Sequence, residues 1–150
     1  VHHHRHGLFA SPRPLVYQAF ADPAQVIHWW GPHSFTLTIQ EMDLRPGGKW
    51  RHIMHGPDGV NYPNEITFTA VVPFERVEQD LIGGKQGAAC IHLHQTLTWE
   101  DEDGGTRLTI RSRFETRELR DHNVRTFGAV QGVRDLFERL EKHLAEAASR

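Results

Sequence analysis

Cysteine occurs once in 150 residues, at Cys90, so no disulfide can form within the chain and a reducing cytoplasm is the expected setting. Apolar runs are only a few residues long, which argues against a membrane-spanning helix. No apolar h-region follows the N-terminus, so a secretory signal peptide is not expected. Neither sign of charge is in excess: 17 Lys and Arg stand against 19 Asp and Glu, a net charge of −2 with a pI near 6.7. The basic patch that displaces counterions from nucleic acid is missing, so nucleic acid is not an expected partner. Internal repeats and low-complexity linkers are missing too. The length therefore reads as one domain over residues 1–150, burying about 70% of its unfolded surface.

The specialised residues are four tryptophans and twelve histidines. Two of the tryptophans stand together in QVIHWWGPHSF, residues 25–35, directly before a Gly-Pro pair. Ser11 is a good N-cap with Pro12 in the first turn, and Val16, Ala19 and Phe20 follow at helical spacing. Asp22-Pro23 repeats the start signal, and Val26, Ile27 and Trp30 form one face of a second short helix. Gly31 suits a left-handed closing residue, and Pro32 blocks continuation. Trp29 and Trp30 thus close a helix about 100° apart around its axis. On that geometry Trp30 points inward and Trp29 lies to the side.

From Phe35 the period changes to two: Phe35, Leu37 and Ile39 alternate with polar residues. Trp50, His52 and Met54 share one face of the next strand. Tyr62, Asn64, Ile66, Phe68, Ala70 and Val72 share the inner side of a long one. Val77, Gln79 and Leu81 form another, and Ile91, Leu93, Gln95, Leu97 and Trp99 a further one. The acidic cluster Glu100 to Asp103 reads as a solvated hairpin loop running into Gly104-Gly105, followed by Leu108, Ile110, Ser112 and Phe114. Consecutive strands with short turns make an antiparallel sheet with one wet face. Val130, Val133, Phe137, Leu140 and Leu144 then recur at helical spacing, an amphipathic helix long enough to cover one face of that sheet.

Twelve histidines invite a metal. His2, His4 and His6 share one face of an N-terminal segment that reads either as an expression remnant or as a short edge strand running into Leu8-Phe9; His92 and His94 share another strand face. A zinc site needs three or four converging ligands with outer support. Since His92 and His94 lie opposite Leu93 and Leu97, they are expected to face solvent, and neither a metal site nor a cofactor is expected.

Two short helices, a curved antiparallel sheet and one long C-terminal helix are the elements of an α+β helix-grip architecture. The stretches ASPRPLVYQAFADPAQVIHWWGP, DLRPGGKWRHIMHGPDG, FTAVVPFERV and GGTRLTI occur in the order seen in one family. In these residues the chain resembles the activator of heat-shock-protein (ninety-kilodalton) ATPase homologue-like family, of the START-like or SRPBCC superfamily, over nearly all of residues 8 to 148. It departs from the family at His52, where an aromatic residue is frequent, and at Glu65, where glycine is common.

The resemblance implies a cavity between the concave face of the sheet and the long helix, binding a small apolar or amphipathic ligand without chemistry. Trp30 would close one end; Phe35, Trp50, Met54, Tyr62, Ile66 and Phe68 would line the sheet side, with Phe127, Gly128 and Gln131 facing them from the helix. His52, Tyr62, Asn64 and Gln95 supply polar groups on a mostly apolar wall. The alternative to a cavity is a filled core. The alternative to plain binding is an enzyme of polyketide-cyclase type, with His52 as its acid or base beside Asn64 and Tyr62; no catalytic triad, nucleophile elbow or phosphate loop accompanies it. Chaperone ATPase regulation is the weaker inference, because the eukaryotic activators add a separate chaperone-binding domain for which this chain has no room. A homodimer has slight support in the sequence.

Overall fold

Period-two patterning becomes seven antiparallel strands in the computed structural model, which describes residues 2–83, 91–114 and 129–148. In chain order these are β1 (His2–Phe9), α1 (Arg13–Ala21), α2 (Pro23–Val26), β2 (Thr36–Met42), β3 (Lys49–His55), β4 (Asn61–Val72), β5 (Arg76–Gly83), β6 (Ile91–Glu102), β7 (Gly105–Phe114) and the helix α3 (Ala129–Ala148). One curved sheet runs β1-β7-β6-β5-β4-β3-β2. The histidine-rich N-terminal segment is its edge strand, paired with β7 from His2 opposite Arg113 to Phe9 opposite Thr106. Cys90, Phe127 and Gly128 lie outside the described residues.

Three local expectations are corrected. The cap of α1 is Pro12 rather than Ser11, with Pro14 in the first turn; Ser11 instead offers its carbonyl to the Thr106 hydroxyl at 2.7 Å. Along β4 a bulge between Phe68 and Ala70 inserts one residue and flips the alternation. Val71, opposite Val77, therefore packs on the core, whereas Ala70 and Val72 pair with Glu78 and Arg76. Finally, Glu100, Asp101 and Glu102 belong to β6; the hairpin loop is Asp103-Gly104 alone, with φ of 49° and 80°, the two positive values of a type I′ turn. Arg107 anchors this end by donating from Nε and Nη2 to the two Glu102 carboxylate oxygens, at 2.9 and 2.6 Å.

Asp22 caps α2 as expected, accepting from the Ala24 backbone N–H at 3.0 Å. On α3 the buried apolar positions among the described residues are Leu136, Leu140 and Leu144, with Phe137 half-buried and its ring edge-on to Phe9 at 5.9 Å. Leu136 joins Phe137, Leu140 and Leu144 of the expected stripe; the side chains of its first two members, Val130 and Val133, lie outside the described residues. Among the described residues no helix is long and apolar enough to cross a membrane.

Candidate functional site

All four tryptophans gather around α1. Phe20 touches Trp30 at 5.6 Å between ring centroids, and Trp50 and Trp99 each at 5.7 Å; Trp30 and Trp50 are 5.2 Å apart. Trp29 packs on Trp30 at 5.6 Å and donates its indole N–H to the Ala19 carbonyl at 2.8 Å. Trp29, expected at the side, is thus fully buried and tied to α1. The 100° argument fails because α2 ends at Val26, so that both tryptophans lie in the turn beyond it. That turn closes on Gly31, whose φ is 107° and where a Cβ would run into the Met54 methyl.

Strand register sorts the inward side chains into rows across the sheet. One row is apolar: Trp50, Ile66, Leu81, Leu93 and Phe114. On one side of it lie His52 and Asn64, Cα partners across β3 and β4. On the other lie Phe68, Gln79, Gln95 and Ser112. Gln79 donates to Gln95 at 2.9 Å, and Gln95 to Ser112 at 3.4 Å, a chain of polar side chains crossing three strands.

Of the residues singled out from the sequence, Trp50 touches both Trp30 and His52, the His52 ring lying 4.4 Å from that of Trp50. Ile66 and Phe68 are buried next to them along β4. Phe35 and Tyr62 form a second group, 5.6 Å apart, in which Tyr62 also pairs in register with Met54. Asn64 turns its amide to the Tyr62 carbonyl at 3.0 Å. Gln95 belongs to the row with Gln79 and Ser112. Gln131 is on α3 with its side chain outside the described residues, as is all of Phe127. Gln79 and Ser112 fall on strand faces read from the sequence but not among the polar groups expected for the site; the signal is there, since Gln79 interrupts the apolar alternation of Val77 and Leu81.

Electrostatically this face is quiet. His52 is 1% exposed, and burial alone lowers its pKa from 6.5 to about 4, so the ring is neutral at pH 7. Four buried side-chain atoms have no hydrogen-bond partner among the described residues: Trp50 Nε1, His52 Nδ1, Gln79 Oε1 and Trp99 Nε1. The outer face is different. There His94 uses its two ring nitrogens separately, Nδ1 toward Asp80 at 2.7 Å and Nε2 toward Glu78 at 3.4 Å, so these groups do not converge on one point.

The sheet order, the two short helices after the first strand and the C-terminal helix define a helix-grip protein of the START-like, or SRPBCC, class. Within it, the family described as "Activator of Hsp90 ATPase homolog 1-like protein" matches residues 10–145, and the chain belongs to that family. A crystal structure from Mycobacterium smegmatis is similar with 28% identity and a TM-score of 0.86, covering 97% of this chain and 92% of that one. A solution structure from Arthrobacter aurescens shares 27% identity with a TM-score of 0.88, over 97% of this chain and 86% of that one. A Nitrosomonas europaea crystal structure, 23% identical, has the same fold, with a TM-score of 0.84 over 98% of this chain and 96% of its own. Among curated proteins none matches.

Proposed function

We propose that this protein binds a small apolar or amphipathic molecule between the concave face of the sheet and α3. One observation carries the proposal: Trp50 Nε1 and His52 Nδ1 are buried on neighbouring rings of that face without a hydrogen-bond partner among the described residues. A buried polar group left unpaired costs about 1–3 kcal/mol, a cost that a ligand atom can remove. Indole N–H is only a donor, so Trp50 calls for an acceptor such as a carbonyl or hydroxyl oxygen; a neutral imidazole takes either role. Around these groups the wall is apolar, as in small-molecule sites generally. Because the His52 ring is neutral, it offers no charge to an anion, and the favoured ligand has an uncharged polar end.

The lowered pKa also favours binding over chemistry. A general base works best with a pKa near the working pH, and a group with a pKa of about 4 is a weak one. Native mass spectrometry of freshly expressed protein tests the proposal, with a retained small molecule as the expected result. Titrating that molecule back should stabilise the fold by about 2.7 kcal/mol at a hundred times its dissociation constant, and should change tryptophan fluorescence. If nothing is retained, and apolar ligands change neither stability nor fluorescence, the proposal fails.

A further inference from the structure

A second cluster lies where the turn after α2 meets α3. His33 on that turn, with Asp135 and Glu138 on α3, brings three ligand atoms within 4.8 Å of one another. We propose that these three side chains bind a divalent first-row transition ion, for which zinc is the natural probe.

The spacing dictates the convergence. Asp135 and Glu138 are three residues apart on a helix and so share a face. His33 Nε2 lies 2.9 Å from Glu138 Oε2 and 3.7 Å from Asp135 Oδ1. Zinc bonds to nitrogen and oxygen are about 2.0–2.2 Å, which puts tetrahedral ligand atoms about 3.3–3.5 Å apart. The His33–Glu138 separation therefore opens by a few tenths of an ångström and the His33–Asp135 separation closes by a similar amount, while the two carboxylates lie within 4.8 Å of each other. His33 and Glu138 are exposed and free to rotate by that much, with side-chain exposures of 52% and 59%. Asp135 is the fixed member, mostly buried, its Oδ2 accepting the His33 backbone N–H at 3.2 Å while Oδ1 faces the imidazole. A carboxylate held through its other oxygen has the outer support that ligands of metal sites share.

The turn itself is held by Arg139, which donates to the Gly31 and Pro32 carbonyls at 3.0 Å each. Three protein ligands leave a fourth position for water, and His33 and Glu138 also line a groove of about 610 Å³ together with His28 and His143. One imidazole with two carboxylates suits zinc and its neighbours, whereas magnesium and calcium take all-oxygen sets. Arg139 beside Asp135 opposes a cation and holds the affinity down.

The test must separate this site from the histidines of β1. In the full chain carrying His2→Ser, His3→Ser, His4→Ser and His6→Ser, Co²⁺ should bind at one equivalent with the visible bands of a four-coordinate ion, and Zn²⁺ should displace it. Glu138→Gln and His33→Gln should each weaken binding by more than about tenfold, and His94→Gln should change nothing. In the unmodified chain Glu138→Gln should remove one equivalent of Zn²⁺, which keeps the test open if the four-site background folds poorly. No saturable binding, or binding unchanged in both Glu138→Gln and His33→Gln, would leave an ion pair only and overturn the proposal.

Discussion

The guanidinium of Arg139 closes over the carbonyls of Gly31 and Pro32 at 3.0 Å and reaches His28 O at 3.1 Å, so one side chain of α3 secures the whole turn behind the tryptophans. Burial lowers its pKa and Asp135 opposes that shift, so the group stays charged while it donates. Arg139→Met keeps the stem and removes the donors. It should cost about 1.5 kcal/mol in urea denaturation, in the range for hydrogen bonds to a charged group. Arg139→Lys should recover only part of this, because an ammonium cannot reproduce the fork. A neutral Arg139→Met would mean that water serves the carbonyls equally well.

The same turn makes Gly31 hard to replace. A Cβ there would stand 2.6 Å from the Met54 terminal methyl, on a backbone with φ of 107°. Gly31→Ala should cost about 1–3 kcal/mol. Met54→Ala in the same chain should relieve the contact but not the backbone strain, so the double variant should remain less stable than Met54→Ala alone. Full recovery would assign the whole cost to the methyl.

Much of this was legible beforehand. The alternation in β3 and β5 and the spacing of Phe137, Leu140 and Leu144 follow from side-chain direction alone, and Asp22-Pro23 announces its own cap. What stayed hidden depends on insertions and on distance in the chain. The bulge after Phe68 shifts β4 by one residue, and no local pattern marks it. Helical spacing gives Trp29 and Trp30 different sides, but α2 stops three residues before Trp29. His33 meets Asp135 across 102 positions, a pairing that only the packing of α3 on the turn creates. Of the candidate site, the inward faces were readable because period two fixes them. The hydrogen-bonded row of Gln79, Gln95 and Ser112 needed the register.

His52 should leave a signature in the pH dependence of stability. The unfolded chain takes up a proton on this ring near pH 6.5, and the folded chain only near 4. The stability linked to the neutral ring is therefore complete above pH 6.5, is lost as pH falls toward 4, and levels off below it. The loss amounts to about 3 kcal/mol at 1.36 kcal/mol per pH unit. His52→Gln cannot titrate, so the difference between variant and parent should shrink across this window in denaturant titrations at stepped pH. If a ligand uses the imidazole only for hydrogen bonding, the same variant should keep its affinity within a few-fold. A general base would instead lose about 10²–10⁴ in turnover. A constant difference from pH 7 to 4 would show that the ring protonates freely in the folded chain.

The contact between α3 and the sheet gives the last prediction. Leu140 is fully buried in the core, whereas Phe137 is half-buried with its ring edge-on to Phe9 and close above Gly7. Leu140→Ala should cost about 2–5 kcal/mol, the transfer of the lost methyls plus the cavity they leave. Phe137→Ala should cost less than a fully buried phenylalanine would, about 2 kcal/mol, since part of the ring already meets water. Lys142, exposed on the far side, should tolerate glutamine within about 0.5 kcal/mol. Urea denaturation of all three, with slopes compared to show that the surface exposed on unfolding is unchanged, measures this ranking. Near-neutral results at both Leu140 and Phe137 would detach the helix from the sheet and remove the wall against which the proposed ligand rests.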